Sequence, residues 1–520
     1  MALLFRLPIR SVARPTHGLF PQDRPWREPS SRWRSITGSG NWFSNWSRFL
    51  SRSVTCSSAT QLPQLKGLKK TSLDGLLAAE ILWDIEALLG RQSLENLDLE
   101  ALESAVRRQA LRLAAQAVEQ RLNADHSDGE QSHRSCCCGQ HARYAGRREK
   151  TFVSALGPLK LERAYYHCSG CSRGFCPRDR QLGLEDTSLS PAVTRMVATV
   201  GALVSFEEGS QLLQELAGVP VNAKQVERAA EALGVEISED EKRDVTPLQA
   251  QPLPPTLYLG VDGTGVPMRA EELKGREGKQ PDGSAKTREV KLCTVWSAEA
   301  RDAQDRPVRD EGSVSYSAAI ESAATLDTDK TPSAFTQRVL REASRRRFTH
   351  AERTVVIGDG APWIWNIAQE LFPRAVQIVD RFHVKQTLST LAKAIYAADL
   401  PRAHQWARRR HDELDAGKFP DLLRAVRRHS DTCDEARKCF QYLHRNRDRM
   451  RYPHFEALGL CTSSGVVEAG CKVVVATRLK RAGMHWTLRG SNAIIALRCS
   501  RLSGRFQDFW ERRTDAKRAA

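Results

Sequence analysis

Long apolar runs are missing from this sequence. No stretch of about 18 or more apolar residues, the length that a membrane-spanning helix requires, occurs in it. The longest candidate, around residues 197–206, fits a buried helix better than a membrane span. A membrane protein is therefore excluded.

Cysteines are few over most of the chain, and those present are clustered. Of the 13 cysteines, six lie between Cys136 and Cys176. A disulfide framework spreads its cysteines over the fold, whereas close clusters favour metal binding in a reducing compartment. The sequence therefore predicts an intracellular protein.

Acidic residues are outnumbered by basic ones. Lys and Arg total 79 against 62 Asp and Glu, which leaves a formal net charge of +17 and a pI near 9.5. This excess favours polyanionic partners, with nucleic acid as the leading candidate. A solvated basic surface or tail is the alternative, because charge alone does not identify a partner.

Residues 1–60 contain only Asp23 and Glu28 as acids and show no sustained helical or strand period. We predict that this segment is disordered, or that it is upstream sequence included by a mistaken start site. An organelle transit peptide is the alternative interpretation of such an Arg- and Ser-rich stretch.

Length and composition predict a multidomain α+β protein. A chain of 520 residues exceeds what one core usually organises, so roughly two to four domains are expected. Apolar residues recur at spacings of three and four from Leu73 to about Asn123, which predicts two long amphipathic helices in a helical region over residues 70–125.

The segment over residues 133–180 has the pattern of a zinc ribbon. Two predicted strands, 151–156 and 159–166, flank a Gly-Pro turn, and cysteine knuckles lie at the two ends of this hairpin. Four thiolates suit zinc, and so small a hairpin has too little core without a metal. Cys137, His133 and His141 stay open as substitutes in the first knuckle; the four predicted ligands are Cys136, Cys138, Cys168 and Cys171.

A helix-turn-helix is predicted within residues 186–245. One helix ends at Leu216, a Gly-containing turn follows, and Asn222 is a good N-cap for a second helix to Leu233. That helix would present Lys224, Gln225 and Arg228 to DNA phosphates and base edges. Two packed structural helices with a Gly-containing turn would look much the same.

From Leu257 onward the pattern becomes alternating α/β. Two apolar strands, 257–261 and 354–358, each deliver an aspartate at the carboxyl end, Asp262 and Asp359. The order of three strands, a helix, a strand, a helix and a strand is that of an RNase H-like domain with one strand antiparallel at the edge. In that fold the first and fourth strands are neighbours, so we expect the two aspartates to lie side by side.

Paired carboxylates repel each other unless a cation lies between them, and hard oxygen ligands select Mg²⁺ or Mn²⁺. Two such ions, roughly 4 Å apart, can drive an in-line phosphoryl displacement. Ordinary turn-forming aspartates are the alternative. A third acid, Glu468, begins a helix that continues to Leu479, where Lys472 shares its face; a surface acid near a helix N-terminus would look the same.

Several separated motifs together are specific for one family. They are C-C-C-G at 136–139, R-A-Y-Y-H-C-S-G-C from Arg163, V-D-G-T-G-V-P-M from Val261, G-D-G-A-P-W-I from Gly358, D-R-F-H from Asp380, S-G-V-V-E-A-G-C-K from Ser464 and R-L-K-R-A-G-M-H-W from Arg478. In these motifs, over roughly residues 73–510, the chain resembles the ISKra-type insertion-sequence DDE transposases. The resemblance implies that Asp262, Asp359 and Glu468 bind the two metal ions. It also implies that Asp380 and His383 form the D-x-x-H signature that follows the second acid, with His383 near the metals or the DNA; such a pair at a helix start is otherwise a cap.

Two basic regions complete the predicted DNA surface. Residues 400–455 read as an all-α insertion with 14 Lys and Arg against eight Asp and Glu. After it, a phosphate-tracking face is predicted around Trp486, with a solvated surface and a core tryptophan as the alternative. Its basic residues, besides Lys472, are Arg478, Lys480, Arg481, Arg489, Arg498, Arg501 and Arg505.

The sequence thus predicts a DNA transposase that acts as a homodimer or higher oligomer on element ends and target DNA, in a bacterial cytoplasm beside the nucleoid. A catalytically inactive DNA-binding derivative is the alternative, and a structure-specific or RNA-directed nuclease of the same fold is a third interpretation. The predicted catalytic domain runs over residues 255–399, is interrupted by the insertion at 400–455, and resumes with its final helix and a basic region at 456–515.

Overall fold

A computed structural model describes residues 98–245, 252–278, 280, 283–323, 332–463 and 465–519, and the single position Trp83. Residues 1–60 and nearly all of the first predicted helix lie outside the described residues. The second predicted helix is present as α1, Leu99–Asn123. In the described part of the chain, no helix combines the length and the apolar character needed to cross a membrane.

The cysteine-rich segment folds as a four-stranded antiparallel sheet in the order β1-β2-β3-β4. The predicted hairpin is present, but its turn lies at Ala155 and Leu156 and not at the predicted Gly157-Pro158, because Gly157 and Pro158 pair with Ser154 and Val153 at the start of β3. Strand β2 begins ten residues before the predicted start at Thr151. Helix α1 packs on the hairpin, where the Asn123 side chain donates to the Lys160 carbonyl and accepts from the Glu162 N–H. The strands are β1 His133–Ser135, β2 His141–Ser154, β3 Gly157–His167 and β4 Gly174–Phe175.

Three helices follow the short helix α2. The predicted turn is observed: Gly218 ends the middle helix in a left-handed conformation, with φ of 68°, and Asn222 caps the next helix in a capping box with Gln225. The last helix extends ten residues beyond the predicted Leu233, and its apolar face is buried because it packs on the helix Leu488–Leu502 near the end of the chain. The helices are α2 Pro177–Gln181, α3 Pro191–Leu203, α4 Phe206–Ala217 and α5 Ala223–Arg243.

The second half of the chain contains a five-stranded sheet in the order β11-β10-β5-β6-β9. Strand β5 is buried on both faces from Thr256 to Val261, because helices cover both sides, and this explains its unbroken apolar run. Strands β10 and β11 are parallel to β5, while β6 is antiparallel to it. The strands are β5 Thr256–Pro267, β6 Thr287–Ser297, β9 Ser315–Ala319, β10 Arg353–Gly358 and β11 Val376–Val379, with a small hairpin of β7 Ala300–Arg301 and β8 Pro307–Val308.

The predicted neighbours, the first and fourth strands of this sheet, do pair. The prediction that the antiparallel strand lies at the edge is wrong: β6 lies between β5 and β9, and β9 is the edge strand. The chain reverses direction twice, from β5 to β6 and from β6 to β9, so the antiparallel strand β6 has a neighbouring strand on each side.

Helices pack on the sheet and are linked to the upstream helices through α15. A Cβ atom added at Gly234 of α5 would lie 2.1 Å from the Ala493 carbonyl oxygen of α15, so the two backbones touch there. The helices from the sheet onward are α6 Ala334–Arg345, α7 Pro362–Leu371, α8 Arg381–Ile395, α9 Leu400–Asp415, α10 Phe419–Arg427, α11 Asp434–Asn446, α12 Tyr452–Ala457, α13 Gly465–Gly470, α14 Thr477–Leu479, α15 Leu488–Leu502 and α16 Phe506–Ala519.

The segment predicted as an all-α insertion forms helices α9 to α12, which lie between α8 and the helix that carries Glu468. That last helix is not a regular α-helix. Between α13 and α14 it widens into a π-helix over Cys471–Ala476. Widened turns of this kind are rare and occur frequently at functional sites.

Candidate active site

Asp262 and Asp359 lie at the same level of two adjacent strands. In the parallel pairing of β5 with β10, Val261 is opposite Gly358, and each aspartate is the next residue along the chain, Asp262 within β5 and Asp359 directly after β10. The register therefore places the two carboxylates side by side, as the sequence predicts.

Asp262 is held in a mostly buried position. Its Oδ1 accepts from the Gly263 N–H at 2.7 Å, and its Oδ2 accepts from the Cys471 thiol at 3.4 Å. Burial raises the pKa of Asp262, and the nearby negative charge of Asp359 adds to the rise. Burial also raises the pKa of the Cys471 thiol, which therefore stays a donor. The sequence placed Cys471 in a motif but did not predict its contact with Asp262.

Asp359 is held by its own loop and by the helical insertion. Its Oδ1 accepts from the Ala361 N–H at 2.8 Å. Its backbone carbonyl accepts from the Tyr442 hydroxyl at 2.8 Å, and the neighbouring Gly360 carbonyl accepts from the Asn446 side chain at 3.4 Å. Sequence reasoning missed both insertion residues, because nothing in their local pattern marks them.

Asp380 and His383 form a hydrogen-bonded pair beside the aspartates. Asp380 caps α8 by accepting from the Phe382 N–H, and its Oδ2 lies 3.0 Å from His383 Nδ1. The pKa of His383 is raised, chiefly by this hydrogen bond and also by the charges of Asp262 and Asp359. The pair is thus both a helix cap and a neighbour of the two acids.

Glu468 approaches the site from the helix. The preceding residue, Val467, packs so closely on β5 that a Cβ at Gly260 would lie 2.0 Å from it. The Glu468 charge also acts on the thiol of Cys471, three residues further along. Its carboxylate, however, pairs with Lys472 at 2.8 Å, with side chains 41% and 69% exposed. The predicted shared face of these two residues is confirmed.

The two aspartates suit a divalent cation. They are hard oxygen donors side by side, and the charged form of Asp262 is disfavoured in a way that a bound cation would relieve. Glu468 is not close enough to the two aspartates to bind the same ion with them. Within the described residues, one group of three or more Cys, His, Asp or Glu side chains has its ligand atoms close enough for a single ion, and it consists of four cysteines.

That group is the predicted one. The Sγ atoms of Cys136, Cys138, Cys168 and Cys171 all lie within 4.8 Å of one another, so the set can bind zinc. Backbone N–H groups of Cys171 and Gly170 stabilise the thiolate of Cys168 and lower its pKa to about 7. Cys137 is exposed and accepts from the Arg173 guanidinium instead, and neither Cys137 nor His133 or His141 belongs to this group.

The predicted basic residues separate into exposed and buried sets. Lys224 and Arg228 are exposed on α5, as predicted, whereas Gln225 is engaged in the capping box. Lys472, Lys480 and Arg481 are exposed; Lys480 donates to the Thr264 hydroxyl beside Asp262, and Arg481 pairs with Glu208.

Three arginines of the predicted phosphate-tracking face are instead interior residues. Arg478, Arg498 and Arg505 are 0%, 5% and 9% exposed, so the predicted phosphate contacts do not fit their positions. Arg478 stacks between Phe206 and Trp486, and Arg505 pairs with Glu241 and Glu342. Trp486 is a core tryptophan, which was the alternative interpretation.

Comparisons with known proteins cover part of the chain. A family model described as an uncharacterised protein family (UPF0236) matches residues 343–513, a stretch that includes Asp359, His383 and Glu468 but not Asp262. No curated protein matches the chain. Among solved structures, the chain is similar to the Drosophila P element transposase strand transfer complex, with 10% identity, 65% of this chain and 84% of that chain covered, and a TM-score of 0.22. A TM-score this low does not indicate a shared fold.

Proposed function

We propose that this chain is a DNA transposase of an insertion sequence, which cuts DNA strands and joins the freed ends to target DNA. The observation that carries the proposal is the pair of aspartates at matched positions on β5 and β10. A buried carboxylate beside a second one is unfavourable in the absence of a cation, so the arrangement is better explained by metal-dependent chemistry than by turn formation.

The sheet supports an RNase H-like catalytic domain. Its first three strands are antiparallel neighbours, and the fourth returns beside the first. Helices α9 to α12 separate this sheet from the helix that carries Glu468, so Glu468 would join the two aspartates from a distant part of the sequence.

Asp262, Asp359 and Glu468 would hold Mg²⁺ or Mn²⁺, which supplies Lewis acidity for phosphoryl displacement when bound. Glu468 would have to exchange its contact with Lys472 for the metal. Asp380 orients the His383 ring through Nδ1, so that Nε2 can donate to a phosphate oxygen. The raised pKa of His383 favours the protonated, donating form.

The DNA would be held by exposed basic residues of α5 and of the segment that follows Glu468. Lys224 and Arg228 on α5 would contact phosphates of the element ends, while Lys472, Lys480 and Arg481 would contact the strand nearer the acids. The cysteine-rich module, with zinc at its four thiols, would add to end recognition. Each such contact makes affinity depend on salt through counterion release.

The test is a cleavage and strand-transfer assay on labelled duplexes that carry the DNA flanking the coding sequence. Asp262→Asn and Asp359→Asn should each reduce the rate by about 10³-fold or more, since each 1.36 kcal/mol of lost stabilisation is about tenfold in rate. Glu468→Gln should reduce the cleavage rate in the same way. Asp310→Asn is the control, because Asp310 bonds the Ser297 hydroxyl and the Glu299 and Ala300 N–H groups of a strand end away from the acids.

A catalytically inactive DNA-binding protein is the second candidate, favoured by the pairing of Glu468 with Lys472 rather than with the aspartates. Wild-type protein that binds the duplex in a salt-dependent manner but cuts nothing in Mg²⁺ or Mn²⁺ would establish this alternative. Cleavage at the wild-type rate by both aspartate variants would overturn the assignment of the acids.

A further inference from the structure

The loop that carries Asp359 is fastened by the helical insertion. Tyr442 and Asn446 are one turn apart on α11, and their side chains donate to the carbonyl groups of Asp359 and Gly360 at 2.8 and 3.4 Å. Asn446 is 1% exposed and Tyr442 is half-buried, so both hydrogen bonds lie largely out of contact with solvent.

The Tyr442 ring also occupies the space that a side chain at position 360 would need. Gly360 has φ of 98°, and a Cβ added there would lie 2.5 Å from the ring atom Cε2 of Tyr442. Glycine at 360 therefore permits both the left-handed turn and the close seat of the ring. The hydroxyl and the ring together hold this loop from one side.

The segment that directly follows α11 is anchored to the sheet. The Tyr452 hydroxyl donates to the Val379 carbonyl at 2.9 Å, at the end of β11. Arg449 donates to the Gln377 side chain at 2.7 Å and stacks on Trp365 of α7. Because the insertion is fixed to the neighbouring strand and helix, the Tyr442 hydroxyl is a fixed reference point for the loop.

We propose that Tyr442, supported by Asn446, is a positioning residue that sets the Asp359 carboxylate for metal binding through the backbone of the Asp359–Gly360 loop; this rests on the proposed function. The carboxylate follows the loop because its Oδ1 is tied to the Ala361 N–H. Loss of the Tyr442 hydroxyl releases the Asp359 carbonyl, and the carboxylate then spends less time in the binding geometry. Outer hydrogen bonds of this kind typically account for about 10–100-fold in metal affinity or activity.

The experiment measures Mn²⁺ binding to the zinc-loaded full chain by electron paramagnetic resonance, without DNA, beside the Mn²⁺ concentration that gives half-maximal cleavage. Tyr442→Phe keeps the ring and removes one hydroxyl. We expect about tenfold weaker Mn²⁺ binding and a matching shift in the half-maximal concentration. DNA affinity should stay unchanged, and saturating Mn²⁺ should recover most of the cleavage rate.

Tyr166→Phe is the matched control, because the Tyr166 hydroxyl also donates to backbone carbonyls, those of Asp128 and Gln131, but in the cysteine-rich module. It should lower the melting temperature by a similar amount and leave Mn²⁺ affinity unchanged. Wild-type Mn²⁺ affinity in Tyr442→Phe overturns the inference while leaving the acids as ligands. Wild-type protein that neither binds Mn²⁺ nor cleaves DNA overturns the proposed function, and the inference falls with it.

Discussion

The cysteine cluster and the acid site differ in how the chain assembles them. The four thiols come from two knuckles at the ends of one hairpin, and they are near one another without any other part of the molecule. The three acids of the proposed metal site come from β5, from the loop after β10 and from a helix, and the helical acid Glu468 is engaged with Lys472. A local site is complete once its hairpin forms, whereas a site built from distant segments depends on strand register, packing and partners.

The largest effect should come from the complete site. Cys168→Ser together with Cys171→Ser removes half of the thiols, and structural zinc sites contribute apparent binding free energies on the order of 10 kcal/mol. We expect zinc to fall from one ion per chain to none, and the hairpin to become sensitive to protease. Elemental analysis and limited proteolysis measure both.

Cys137→Ser is the control, since the neighbouring thiol is exposed and outside the cluster. It should retain the zinc. If the wild-type protein contains no zinc, or if zinc stays bound after the double substitution, the four thiols are not a complete zinc site.

The same difference decides what sequence alone could predict. The C-x-x-C knuckle and the apolar runs before Asp262 and Asp359 are local patterns, and the structure brings their residues together as predicted. Asp262 does not end its strand, however, because β5 continues to Pro267 in its pairing with β6. The pairing of β5 with β10 followed from element order, because a right-handed crossover leaves few arrangements. The enclosed position of β6 did not follow, since element order leaves the place of an antiparallel strand open.

Residues whose role depends on tertiary packing were not predictable. A basic run does not reveal which arginines face solvent, so Arg478 and Arg505 read as phosphate contacts although one stacks on aromatic rings and the other pairs with buried glutamates. Tyr442 has no motif of its own, and its contact with Asp359 spans 83 positions of the sequence. Charge and spacing describe local structure, whereas these roles arise from contacts between distant segments.

The second prediction tests whether the aspartates are a strained pair. Burial and the charge of Asp359 raise the pKa of Asp262, so at neutral pH its ionised form destabilises the metal-free fold. Asp262→Asn should therefore raise the melting temperature in EDTA. The gain should shrink as pH falls through the raised pKa, where the wild-type carboxyl also becomes neutral. Added Mn²⁺ should stabilise the wild type and not the variant.

Asp310→Asn should show the opposite sign. Burial alone would raise the pKa of Asp310, but hydrogen bonds from Ser297, Ala300 and Glu299 lower it, so its charge stabilises the fold. Melting curves in EDTA for both variants provide the comparison. A lower melting temperature for Asp262→Asn would mean that this acid is an ordinary structural group.

The third prediction concerns the pH response of the acid site. The folded pKa of His383 is raised by Asp380 and the two neighbouring aspartates, so its stabilising effect is full below the ordinary pKa of 6.5 and is lost as pH rises through the raised value. In EDTA, the stability difference between wild type and His383→Gln should be largest below pH 6.5 and should decline above it. Denaturant titrations across this range measure it.

His429→Gln is a control of opposite direction. Burial and the charges of Arg402, Arg410 and Arg428 lower the pKa of His429, so wild-type stability at that residue should be lost as pH falls. A pH response of the same direction for both histidines would show that the effect does not come from the acids around His383.

The smallest effect concerns the Glu468–Lys472 pair. Because Glu468 pairs with Lys472, the three acids are not gathered around one point as the four thiols are. The pair is exposed and has i, i+4 spacing, so it should contribute about 0.5 kcal/mol or less to stability. Lys472→Met should barely change the melting temperature. It should nevertheless tighten Mn²⁺ binding, because Glu468 loses its competing partner and a positive charge leaves the neighbourhood of the site.

Lys242→Met is the control, since Lys242 forms a similar exposed pair with Glu239 on α5. It should leave Mn²⁺ affinity unchanged. If Lys472 also contacts a phosphate, its removal should reduce the slope of log affinity against log salt by about 1. Tighter Mn²⁺ binding with an unchanged slope would mean that Lys472 acts on Glu468 alone, and a reduced slope with unchanged Mn²⁺ binding would mean that it acts only on DNA. Tighter Mn²⁺ binding together with a reduced slope would mean that Lys472 releases Glu468 when DNA binds, because a phosphate that pairs with Lys472 leaves the Glu468 carboxylate free to bind the metal.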